Sequence, residues 1–171
     1  MQRLNLRKYS PELMLTMFRK AASLRNEMME AGFTDNGGAI HSAERILNIL
    51  GLLLNYPDIR HINNLKKSPM AEFSVEARKL HQKGERVLIE HVSPLRDLTR
   101  RAIAMLGSGK GDNEIRRFVK RHFRLVLLSP EETRRLNRQN RSKISANRLI
   151  SAGIRLQPRR IPIVNRPGKT I

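Results

Sequence analysis

Apolar residues recur along the first third of the chain at the three- and four-residue spacing of helices. From Pro11 to about Ala31 they are Leu13, Met14, Met17, Phe18, Ala21, Leu24 and Met28, with charged residues opposite and Gly32 placed to end the helix. Turn residues Asp35, Asn36, Gly37 and Gly38 lead into a second helix over 39–55. Its Ile46, Leu47, Ile49, Leu50, Leu52, Leu53 and Leu54 cover more than one face, so this helix is either central to the core or the seam of a dimer. Tyr56, Pro57 and Asp58 break it, and 59–67 has no clear period and reads as a loop with room for one helical turn.

A third helix is expected over 69–82, closed by Gly84. The Val-Leu-Ile core of 86–92 then reads as a strand. Helices return over 94–106 and 112–122. A second strand, Arg-Leu-Val-Leu-Leu over 124–128, precedes a helix over 130–142, and a short helix from Ser145 should stop at Gly153. Four Ser-Pro pairs, at Ser10, Ser68, Ser93 and Ser129, read as helix starts, because serine caps an orphan amide and proline gives up one that had no partner. Glu132, three residues after Ser129, completes a capping box.

These elements predict a mainly α fold with a small two-stranded β element, in one compact helical domain with a basic C-terminal half. The domain should span 1–155, with 1–85 as helical scaffold and 86–155 as the basic functional region. The Pro- and Arg-containing stretch 156–171 reads as an extended basic tail. A chain of 171 residues buries about two-thirds of its unfolded surface. With aromatics at 4% and no Trp, its core must be built from Leu, Ile, Met and Val.

Charge changes the picture more than apolar content does. Lys and Arg number 34 against 15 Asp and Glu, a formal +19, and 20 of the basic residues but only five acidic ones follow Glu90. Such a balance predicts an anionic partner, nucleic acid before a membrane surface. The absence of cysteine excludes disulfides, thiolate zinc sites and cysteine nucleophiles. The N-terminus lacks an apolar signal core, and Ile46 to Leu54 is interrupted by Asn48 and too short to span a bilayer. A soluble, cytoplasmic protein with no membrane partner is expected.

Two basic runs fall at helical spacing. Arg116, Arg117, Lys120 and Arg121 form one cationic face while Ile115, Phe118 and Val119 turn inward, and Arg134, Arg135, Arg138 and Arg141 repeat the arrangement, followed by Lys143. These residues are the candidate nucleic-acid contacts. Gly107-Ser-Gly-Lys-Gly lacks the spacing and the preceding strand of a P-loop and reads as a linker or a backbone-phosphate contact.

One constellation carries a chemical hint. Glu90 and His91 lie at the end of the first strand, before Val-Ser-Pro, and Asn140-Arg-Ser-Lys143 closes the segment that follows the second strand. This pattern resembles the acidic-His opening and the terminal Asn-x-x-Lys of HNH, or His-Me finger, endonucleases. The resemblance implies a divalent metal such as magnesium held by Glu90 and Asn140, with His91 as general base, a role suited to imidazole near neutral pH. Successive strand residues point to opposite faces, so Glu90 and His91 converge only if the strand ends or bulges there.

Three functions remain open: a nucleic-acid-binding protein that grips DNA or RNA phosphates with its basic half, a metal-dependent HNH-like nuclease, and a subunit or inhibitor in a larger protein or nucleoprotein complex. The third would use the Leu47 to Leu54 helix for a protein partner or a second copy.

Overall fold

The computed structural model describes residues 6–139 and 147–157. Helix α1 spans Pro11–Glu30, and the Ser10 hydroxyl accepts the Leu13 amide at 3.1 Å at its start. Its buried stripe is Met14, Leu15, Phe18, Ala21 and Ala22, whereas Leu13 and Leu24 are exposed, so the inward face is rotated from the one expected. Helix α2 spans His41–Asn55 and packs against α1. Leu47, Leu50 and Leu52 are fully buried within the chain itself, which makes α2 the central helix. At its end the buried Tyr56 hydroxyl accepts the Leu125 amide at 2.8 Å and ties the helix to a strand almost seventy residues away.

A 3-10 turn over Ile62–Lys67 fills the aperiodic stretch. The third helix, α3, is Val75–Gln82, and Ser74 caps it through the Ala77 amide. The helix expected from Pro69 therefore starts six residues late. Ser68 instead accepts the Met70 amide in a local turn, which frees Glu72, Phe73 and Ser74 to run extended. Helix α4 spans Leu95–Gly107 and has no side-chain cap, so Ser93 does not act as one. Helix α5, Asp112–His122, has the expected bounds, and its Glu114 carboxylate accepts the Gly111 amide.

Strands β1 (Leu88–His91) and β2 (Leu125–Leu128) pair antiparallel, with Glu90 opposite Val126 and His91 opposite Leu125. The extended segment 72–74 lies along the other edge of β2, where the Leu127 amide donates to the Glu72 carbonyl and the Ser74 amide to that of Leu127. Residues 155–157 add beyond it, the Val75 amide donating to the Arg155 carbonyl and the Gln157 amide to that of Phe73. The small sheet thus gains two ragged strands on one side.

Helices α6 (Pro130–Gln139) and α7 (Arg148–Ser151) follow. The capping box at the start of α6 forms: the Glu132 amide donates to the Ser129 hydroxyl, and the Glu132 carboxylate accepts the Ser129 amide at 2.8 Å. The same carboxylate oxygen accepts the Ser74 hydroxyl at 2.5 Å, so one buried carboxylate joins the caps of α3 and α6. The sheet lies between two layers. Ile89 and Leu125 face the large core of α1, α2, α4 and α5, while Val126 and Leu128 face a smaller cluster with Leu136, Leu149 and Ile154. No helix among the described residues is long and apolar enough to cross a membrane.

Candidate nucleic-acid interface

Strand β1 remains regular through Glu90 and His91, so the pleat sends the two side chains to opposite faces. The His91 ring turns to the α2 side. There its Nε2 meets the Asn48 side-chain carbonyl oxygen at 2.9 Å, and its ring stands nearly perpendicular to that of Phe123. Because that oxygen can only accept, Nε2 carries the proton. Burial first, and the Arg148 charge second, push the imidazole down to about 4, so it is neutral at physiological pH.

Glu90 lies on the opposite side, towards α6 and α7. Burial raises its carboxyl above the usual range, and the Arg148 guanidinium opposes part of that rise. The Thr133 hydroxyl is near enough to favour the charged form slightly without completing a hydrogen bond among the described residues. The structure does not bring Glu90 and His91 into one site. Asn140, the third residue of the expected metal set, lies outside the described residues, as do Arg141 and Lys143. No group of three or more His, Asp or Glu among the described residues could hold a metal ion.

The cationic face of α5 forms as expected because Ile115 and Val119 anchor the helix to the core. Its four basic residues are not equivalent. Arg116 is claimed by Glu12 of α1 at 2.6 Å. Arg117 is exposed, donates to the Asn113 carbonyl and lies near Glu114. Lys120 and Arg121 project into solvent without a carboxylate partner among the described residues. Beside them Arg101 of α4 lies over the Phe118 ring at 5.0 Å, and His122 tilts against the same ring. Burial and the neighbouring Arg101 and Arg121 charges lower the His122 imidazole pKa. Arg101 was not legible as part of this patch, because its own sequence run carries Asp97 four residues earlier.

Helix α6 offers less free charge. Glu131 pairs with Arg134 at 3.0 Å and approaches Arg138 at 3.9 Å, while Arg135 lines a surface cleft with Glu76 and Glu85. Elsewhere basic residues serve the fold. Asp35 receives Arg25 and Arg100, and these bonds, Arg25 first, hold its carboxyl down to about 2 against the opposing effect of burial. Arg96 pairs with Glu44, and Arg124 grips Glu72 with two nitrogens. No protein-family model, curated protein or solved structure matches the chain.

Proposed function

We propose that the protein binds nucleic acid through its phosphate backbone, with the solvent face of α5 at the centre of the contact. The observation that supports this most is the pair Lys120 and Arg121, exposed and without carboxylate partners among the described residues, in line with Arg117 and next to Arg101. A cationic face built only for solubility is ordinarily interleaved with acids, as α6 is here. The excess of +19 over the whole chain supplies the long-range attraction. Flexible lysine and forked arginine suit phosphate oxygens, and the paucity of aromatic rings favours backbone contact over a base-stacking platform.

The test is a salt titration of binding to duplex DNA and to single-stranded and duplex RNA. On duplex DNA each phosphate contact contributes about −0.9 to the slope of log affinity against log salt. Replacing Arg117, Lys120 and Arg121 together by glutamine should therefore reduce the slope's magnitude by roughly 2 to 3 and weaken binding severely. Replacing Lys20, Arg45 and Lys67, three exposed cations on other elements, should do much less. Equal losses from the two sets would mean that general charge steers the partner, and an absence of salt-sensitive binding to all three substrates would remove the proposal.

A further inference from the structure

Beside α7, away from α5, the surface opens into a cleft of about 470 Å³. The topology brings three arginines to it from distant parts of the sequence. Arg124 stands just before β2, its carbonyl accepting the Val92 amide at 2.9 Å. Arg155 lies on the added outer segment, fixed by the bond from the Val75 amide. Arg148 opens α7 and is only 7% exposed. The remaining wall is largely apolar, with Val92 and Leu156 at the side and Ile150, 75% exposed, beside the opening.

Charge is not balanced there. Arg124 is satisfied by Glu72. Arg148 is faced by Glu90, whose carboxyl is itself pushed by burial towards the neutral form, and Arg155 has no ion pair among the described residues. The Arg148 Nε is buried and has no acceptor among the described residues. A buried guanidinium with one unused donor is costly, but that nitrogen is shut off from solvent, so contact with a ligand in the cleft falls to the rest of Arg148 that lines it and to the exposed Arg155. The volume falls in the range of small-molecule sites, which combine apolar walls with a few converging polar groups.

We propose that this cleft binds a small organic oxyanion, a carboxylate or a phosphate monoester on an apolar body, with Arg148 and Arg155 holding the charge and Val92, Ile150 and Leu156 the body. The site is separate from the α5 face and does not depend on nucleic-acid binding. Forked guanidinium donors match the paired oxygens of either head group.

The test uses the full chain and four probes: phenyl phosphate, benzoate, inorganic phosphate and benzyl alcohol, followed by calorimetry and by chemical-shift changes of the Ile150 and Val92 methyl groups. Phenyl phosphate or benzoate should bind saturably, about tenfold or more tighter than inorganic phosphate or benzyl alcohol, since charge and apolar body each contribute on the order of one decade. The stronger of the two identifies the head group. Arg148→Gln should abolish binding. Because Arg148 is buried and that variant can fail to fold, Arg155→Gln and Ile150→Asp at exposed positions carry the test independently, the first weakening binding several-fold and the second by about tenfold or more. Wild-type binding in both exposed variants, equal binding of benzyl alcohol, or no saturable probe would overturn the proposal. Several-fold weaker probe binding in Arg155→Gln with unchanged duplex affinity would separate this site from the α5 surface.

Discussion

On one face of the β1–β2 pair, Ile89 and Leu125 meet an aliphatic core built by α1, α2, α4 and α5, whereas on the other Val126 and Leu128 share a thin layer with Glu90, Thr133 and Arg148. The difference follows from how much apolar surface each set of helices brings. Helices α1 and α2 supply long buried stripes, and the charge beside them is paired: the buried Asp35 gathers Arg25 and Arg100, and Glu44 holds Arg96. Helix α6 is largely polar and α7 has four residues, so the second layer cannot be closed by hydrocarbon alone. It closes with charges and hydroxyls, and the arginine cleft is the result. Among the described residues some cations are paired at the edge of the large layer, Arg148 is buried in the thin one, and others are exposed, those of α5 lying together on one face.

The largest effect expected from breaking this contrast lies in the aliphatic layer. Leu50→Ala should cost roughly 2–5 kcal/mol, since Leu50 is fully buried at the middle of α2. Denaturant unfolding checks this, and a loss below about half a kcal/mol, the range of surface substitutions, would contradict a central α2.

His91 is the polar intruder on that side, and pH reads its burial. Its folded pKa is near 4 against an ordinary 6.5, so the native state resists the proton that the unfolded chain accepts. The associated stability is fully present above about pH 6.5 and is lost as pH falls towards 4, up to about 3 kcal/mol in all. Wild type and His91→Gln should converge in pH slope above 6.5 and diverge below it. Parallel curves from pH 7 to 4 would show that the imidazole titrates freely in the folded protein.

In the thin layer Glu132 joins two helix starts. Removing its carboxylate in Glu132→Ala leaves the Ser74 hydroxyl and the Ser129 amide without their shared acceptor and weakens the caps of α3 and α6 together. Hydrogen bonds to a charged group contribute about 1.5–3 kcal/mol, so a loss of roughly 2–3 kcal/mol is expected. Hydrogen exchange should rise in both α3 and α6. Exchange that rises in α6 alone would show that the Ser74 bond carries no load between the helices.

The contrast between the layers explains what the sequence revealed. Helices α1, α2 and α5 were legible because their signals are local: apolar spacing, Ser10 or acidic residues at the start, and a turn at the end. The capping box at Ser129 and the two short apolar strands were legible for the same reason, and with two strands to place, their pairing was the expected outcome. Ser93-Pro94 carries the same local signal and does open α4, though without a serine cap, whereas Ser68-Pro69 carries it and opens no α-helix. After Ser68-Pro69, pairing of Phe73 with Leu127 takes the chain into an extended path that no neighbour in sequence announces. Glu90 and His91 share a motif in sequence yet lie apart in space, because a regular pleat separates adjacent residues. The burial of Arg148 and the joining of 155–157 to 73–75, some eighty residues away, were invisible because no local pattern announces either.

The smallest expected effect is the sharpest probe of paired against free cations. Arg116 belongs by sequence to the same face as Lys120 and Arg121, yet Glu12 of α1 holds it at 2.6 Å. Both groups are at least a third exposed, so the pair is screened and adds little to the fold. Its consequence is for binding: a guanidinium already neutralised by a carboxylate releases no counterion from an approaching duplex. Glu12→Gln removes that competitor while keeping the shape of the side chain. If the α5 face is the nucleic-acid surface, the variant should bind duplex DNA more tightly at low salt and steepen the log–log salt slope by up to about one, with only a small loss of stability from the charge removed at the N-terminal end of α1. The same substitution in a chain already carrying Arg117→Gln, Lys120→Gln and Arg121→Gln should have almost no effect, because a single freed cation no longer extends an existing surface. An equal gain in both backgrounds would assign the effect to net charge and place the contact elsewhere.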